Sequence, residues 1–232
     1  MHEEPKISIE SDFILPSVCI FDSRALFSLP LYQKKSTMLD AFSHCLESLW
    51  SINSNDQSRL FSLTAMRIIL KYKDLYLKND KHANFKMLVA SNLAGRAINI
   101  SKTTAGHAMS YKLTSLFGIS HGHATALCNL VLINYLLNNI DKTNIYNDKR
   151  GSLFLTTVFE DLSRIFLCTT IKDVFNKYYI MLKKLDVCSL KFTEEELDIL
   201  CSSVNEERLK NNPIQIDKLN IRKLYKEIEN IL

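Results

Sequence analysis

From Ser36 onward, apolar residues recur at intervals of three and four almost without interruption, the signature of helices that each bury one face. Ser36 or Thr37 is placed to cap a helix reaching about Trp50, and Asn55 or Asp56 to start another through Leu60, Leu63 and Ile68 to about Leu77. A third runs from about His82 through Met87 and Leu93 to Ile98, and a fourth from Ala105 to Phe117. Gly118, which tolerates positive φ, ends that helix, and a new one starts near Ser120 and passes through Ala124, Leu127, Leu130 and Val131. Beyond Asn138, the polar string NNIDKTNIYNDKRG predicts an exposed loop. Helices follow over Leu153 to Leu167, Ile171 to Leu185, Glu194 to Ser203 and Asp217 to Ile231. The third of these carries a capping box, Thr193 with Glu196.

Only the first thirty residues depart from the helical period. The β-prone runs Ile7 to Ile9 and Val18 to Phe21 are bounded by Pro5, Pro16 and Asp22, and cannot form a sheet that stands alone in water. They predict an extended arm over 1–30, the edge of a sheet lying outside the sequence, ahead of one all-α domain over 31–232.

Composition narrows the field. Hydrophobic residues make up 47% of the 232, ordinary for a globular domain. The net charge of +4 is dispersed in short lysine pairs on helix faces, with no basic stripe interleaved with aromatics, so nucleic acid is not the expected partner. No apolar run reaches the ~18 residues of a membrane span. The six cysteines are scattered without a Cys-x-x-Cys pair and read as small core residues in a reducing, cytoplasmic setting. Glycine is scarce, and three of its five occurrences, Gly106, Gly118 and Gly122, crowd one stretch where backbone must approach something closely.

That stretch, TTAGHAMSYKLTSLFGISHGHATALCN, also carries three of the six histidines. His107 lies near the start of one helix and His121 near the start of the next, and the turn at Gly118 can fold them together. Upstream, DAFSH places Asp40 and His44 four residues apart on one helix face. A carboxylate with imidazoles suits Fe(II) or Zn(II), with a position left open if the site is catalytic.

DAFSH, GHAMSYKLTSLFG and SHGHATAL together resemble the iron-containing (group III) alcohol dehydrogenases, whose superfamily also holds glycerol dehydrogenase and dehydroquinate synthase. LPSVCIFDSRALFSLP resembles the segment entering the family's helical domain, and VNEERLKNNPIQI its closing arginine and Asn-Asn-Pro motif. ESLWSINSNDQS and NLAGRAINISKTTAGHAMSYKLTSLFGISHGHA are most similar to the phosphonoacetaldehyde reductase branch.

The resemblance implies a dehydroquinate synthase-like multi-helix bundle with Asp40, His44, His107 and His121 as the ligands of Fe(II) or, alternatively, Zn(II). Tyr111 stands where many members carry a further histidine and His123 where most have an aliphatic residue, so both are candidates for proton delivery. Lys102, Thr103, Thr104 and Lys112 flank the helix start at Gly106 and are candidates to bind a phosphonate. The hydride would come from NAD(P)H. No Gly-x-Gly-x-x-Gly or Gly-Gly-Gly-Ser loop is present to grip it, so the expected role is the metal-binding half of a two-domain reductase, as a fragment, a split gene product or a truncated reading frame.

The expected reaction is reduction of phosphonoacetaldehyde to 2-hydroxyethylphosphonate, inactive without a separate nucleotide-binding domain. The alternatives are an ordinary short-chain alcohol or aldehyde, and a non-catalytic helical remnant. Apolar residues around Phe13 to Phe27 invite homo-oligomerisation.

Overall fold

The computed structural model describes residues 11–231. The chain is all-α. Among the described residues ten helices run in order: α1 (Leu31–Trp50), α2 (Asp56–Leu77), α3 (Lys81–Ser101), α4 (Ala105–Phe117), α5 (His121–Asn139), α6 (Gly151–Phe166), α7 (Asp173–Lys184), α8 (Glu194–Ser203), α9 (Glu206–Leu209) and α10 (Lys218–Ile228). The only β-pairing among the described residues is an isolated bridge between Tyr146 and Ile214. Among the described residues, no helix is long and apolar enough to cross a membrane.

Helix α5 is the axis. Every residue from Gly122 to Ile133 is buried, because α1, α4, α7 and α10 pack around it on all sides. Helix α1 passes between α5 and the α2–α3 hairpin, with Phe42, Leu46, Leu49 and Trp50 fully buried. Two helices approach without side chains between them. A Cβ at Gly122 would lie 1.9 Å from the Ser36 carbonyl oxygen, so α5 begins directly against the α1 backbone. Gly122→Ala should therefore cost about 1–3 kcal/mol or more, by forcing those backbones apart. Gly95→Ala, with nothing within 4 Å of the new methyl, should be neutral or stabilising by up to about 1 kcal/mol. Denaturant melts of the pair check this, and equal midpoints would show that the α1–α5 contact yields freely.

Several boundaries and details differ from expectation. Helix α1 starts at Leu31, not Ser36, because Pro30 supplies the extended residue before the first turn. Ser36 is then buried within the helix, and the Thr37 hydroxyl donates back to Gln33 O at 2.9 Å. Between the 3-10 turns at Asp12–Ile14 and Ser23–Leu26, the expected edge run Val18 to Phe21 has no strand partner among the described residues of this chain, and Phe13, Val18 and Ile20 are exposed. The run Ile7 to Ile9 lies outside the described residues.

The 138–151 loop is pinned rather than loose. Its Asn147 and Asp148 amides donate to Pro213 O, and Arg150 reaches Ser51 O at 2.9 Å and Ser54 O at 2.7 Å. Cys45 and Cys128 are core residues as expected, but Cys19 and Cys188 are exposed and Cys168 and Cys201 half-buried. The αL turn at Gly118 and the Thr193–Glu196 capping box stand as expected.

Candidate metal centre

Asp40 and His44 project from one face of α1, His107 from the first turn of α4 and His121 from the first residue of α5. Asp40 Oδ1 lies 4.0 Å from His44 Nε2, 3.5 Å from His107 Nε2 and 3.7 Å from His121 Nε2. The His44 and His107 rings stack at 4.6 Å, and His121 meets His107 edge-on at 5.3 Å. Asp40, His44 and His107 present ligand atoms all within 4.8 Å of one another, a group that could hold a metal ion, and His121 reaches the same Asp40 oxygen.

The donor chemistry fits a divalent ion. Four ligands at 2.0–2.2 Å in a tetrahedron sit about 3.4 Å apart, close to the spacing here. Asp40 Oδ1 and His107 Nε2 are buried and make no hydrogen bond, a cost that an ion between them would remove. Burial, reinforced by the charge of His107, pushes the His44 imidazole down to about 4, so its lone pair is available at neutral pH. Burial raises the Asp40 carboxyl, but the surrounding histidines more than reverse this and hold it ionised.

Beneath the cluster lies a residue that motif reading passed over. Glu47, one turn beyond His44 on α1, is fully buried and takes five donors. They are His107 Nδ1 at 2.6 Å, the Thr104 amide at 2.6 Å, the Thr104 hydroxyl at 3.0 Å, Asn129 Nδ2 at 3.2 Å and the His107 amide at 3.3 Å. Burial alone would raise its carboxyl; the charge of His107 and these hydrogen bonds hold it down at about 2. With Nδ1 committed to Glu47, His107 turns Nε2 toward Asp40. Gly106 makes room for this, since a Cβ there would lie 2.5 Å from Glu47 Oε1 and 2.2 Å from Asn129 Oδ1. The signal was in the sequence: Asp40, His44 and Glu47 are spaced four and three, one helical stripe.

The histidines form one wall of an open cavity of about 450 Å³. Lys102, Thr103, Tyr111, Arg208 and Asn211 line the rest, together with Ile98 and Glu207. Of the expected substrate contacts, Lys102 and Thr103 thus stand in the cavity, but Thr104 and Lys112 do not. Thr104 is fully buried, bonded to Glu47 and accepting from Trp50 Nε1 at 3.0 Å. Of the two candidate proton donors, Tyr111 lines the cavity and stacks on His121 at 5.3 Å, its phenol pKa raised by burial. His123 points away, 93% buried against Tyr32 with its ring centroid at 4.9 Å, because two positions along α5 turn a side chain to another face. The Asn-Asn-Pro motif holds the cavity's outer rim. Asn211 Nδ2 donates to Thr103 O at 3.1 Å, and Asn212, fully buried, donates to Ile214 O at 2.7 Å.

The chain is 30% identical over 161 residues to long-chain-alcohol dehydrogenase 1 of Geobacillus thermodenitrificans, covering 67% of this chain and 41% of the relative. It is 28% identical over 160 residues to the phosphonoacetaldehyde reductase of Streptomyces viridochromogenes, covering 68% of this chain and 40% of that one. Among solved structures, the sulfoacetaldehyde reductase from Bifidobacterium kashiwanohense in complex with NAD+ superposes over 96% of this chain and 57% of its own, with a TM-score of 0.80 at 26% identity. The chain therefore spans less than half the length of these two sequence relatives and a little over half of that structure. The model of the Fe-containing alcohol dehydrogenase family, C-terminal, matches residues 34–228, and the chain belongs to that family.

Proposed function

We propose that this chain is the metal-binding half of an NAD(P)-dependent aldehyde reductase, and that its substrate is phosphonoacetaldehyde, reduced to 2-hydroxyethylphosphonate. The observation that carries the reading is the convergence of three imidazoles on one Asp40 oxygen at the wall of an open cavity. Asp40, His44, His107 and His121 are the ligands in this reading. An Fe(II) or Zn(II) ion held there supplies Lewis acidity toward a carbonyl oxygen, and a nicotinamide supplies the hydride.

The chain's own residues do the rest. His44 enters neutral, and Glu47 fixes the tautomer of His107. Tyr111, kept protonated by burial, is the proton donor for the substrate oxygen. His123 has no place in that role, since its ring packs behind α5 against Tyr32. The phosphonate reading draws support from the similarity to phosphonoacetaldehyde and sulfoacetaldehyde reductases, two enzymes named for short aldehydes bearing a tetrahedral oxyanion. A neutral alcohol is the competing substrate, favoured by the somewhat higher identity to the long-chain-alcohol dehydrogenase.

Elemental analysis after anaerobic loading should find about one Fe or Zn per chain. Coenzyme oxidation should then be followed with phosphonoacetaldehyde and with a long-chain aldehyde, for the chain alone and with a nucleotide-binding half from a relative added. No bound metal overturns the reading, and faster turnover of the long-chain aldehyde replaces its substrate.

A further inference from the structure

The cavity has a second end, chemically unlike the first. Arg208 comes from the four-residue helix α9, and its Nη1 donates to Thr103 Oγ1 at 2.9 Å. Its guanidinium carbon lies 5.1 Å from the centroid of the Tyr111 ring, the same ring that stacks on His121. One aromatic ring thus links the imidazole cluster and a cation. Arg208 pairs with no carboxylate among the described residues, while the neighbouring Glu207 is engaged by Lys210 at 2.6 Å. A half-buried guanidinium facing a cavity without an acidic partner is matched by a ligand oxyanion, for which its planar fork is suited.

A second observation points to the same end. Lys102 closes α3 with φ 60° and ψ 169°, a region almost reserved for glycine, and lines the cavity beside Thr103. Such strain persists where the surroundings over-determine the conformation, and it gathers at ligand sites. Asn211, itself held by Ile52 N donating to its carbonyl oxygen at 3.0 Å, donates to the adjacent Thr103 carbonyl and so anchors the segment presenting Lys102 and Thr103.

We propose that Arg208, oriented by Thr103 and assisted by Lys102, is the specificity-determining residue of this cavity, binding the tetrahedral oxyanion of a short substrate whose carbonyl faces the histidines. This rests on the substrate reading above and names the residue that selects it. The bound group is a phosphonate in preference to a sulfonate, because its second negative charge gains more from the Arg208 guanidinium.

The test separates anion recognition from the metal. Binding of methylphosphonate and of methanesulfonate, which carry the head group without the carbonyl, is titrated by NMR against the parent chain, Arg208→Met, Arg208→Lys and Asp40→Asn, with metal content measured on each. Arg208→Met should weaken methylphosphonate on the order of 10- to 100-fold with its metal content unchanged, as for a hydrogen-bonded charge. Arg208→Lys should recover part of the loss. Asp40→Asn should lose metal yet keep methylphosphonate. Methylphosphonate binding that is absent from the parent, or equal in parent and Arg208→Met, overturns the proposal. Tighter binding of methanesulfonate overturns the choice of phosphonate. A parent chain that binds methylphosphonate but never metal leaves Arg208 in place and removes the reductase reading instead.

Discussion

His107→Ala is expected to abolish metal binding and also to weaken the fold without metal, whereas His121→Ala should do only the first. Both remove an imidazole nitrogen from the group around Asp40, so both should lower affinity by more than about 100-fold, beyond what loss of an outer partner causes. Their surroundings differ. The His107 side chain is 2% exposed and pairs with a carboxylate that is wholly buried, so its removal leaves Glu47 charged and unpaired. Breaking such a pair costs about 3–5 kcal/mol. The His121 side chain is 34% exposed and borders the cavity, where water can take its place. Metal analysis beside thermal melts in chelator should therefore show two metal-free proteins, one markedly less stable than the parent and one close to it. Retention of metal by either variant would remove that residue from the ligand set, and equal melts would mean that Glu47 does not depend on His107.

Glu47 gives the second large effect. Glu47→Leu removes the acceptor of five hydrogen bonds at once, stranding the Thr104 and His107 amides and the Asn129 side chain, and should destabilise by about 3–5 kcal/mol. Glu47→Gln is the more informative variant. It keeps the shape and can still accept from His107 Nδ1, but it loses the charge and turns a donor toward amides that need an acceptor. Metal affinity of folded Glu47→Gln, measured well below its melting temperature, should fall about 10- to 100-fold. An affinity equal to the parent's in a folded Glu47→Gln would falsify the orienting role and leave Glu47 as a purely structural group.

Much of this was legible in the residues, for identifiable reasons. Amphipathic periodicity marked the long helices, and Gly118 marked the turn that brings His107 and His121 together, because glycine adopts its φ of 66° at no steric cost. What stayed hidden is what depends on tertiary contact. Thr104 looked like a solvent-facing hydroxyl at a helix start, but Trp50 and Glu47, distant in sequence, draw it inward. Helix α9 is a single turn, too short to show a period, so Arg208 carried no signal beyond its place in the motif that closes the domain. His123 follows His121 by two positions within one turn of α5, so it faces Tyr32 while His121 faces the cavity, and which groups line each side is set by tertiary contact.

The cavity is assembled from two kinds of material. Its histidine wall is carried by helices whose opposite faces form the core, so a change there disturbs α1, α4 and α5 together. Its far rim is shared by Lys102 and Thr103 with a one-turn helix and the loop that follows, and on that helix half-exposed side chains can be exchanged at smaller cost to the fold. Under the proposed function, descendants of such a chain can trade one substrate for another by altering the rim while inheriting the same histidine cluster. Laboratory selection for new substrates should accordingly enrich changes at 205–211 and leave 40–47 alone.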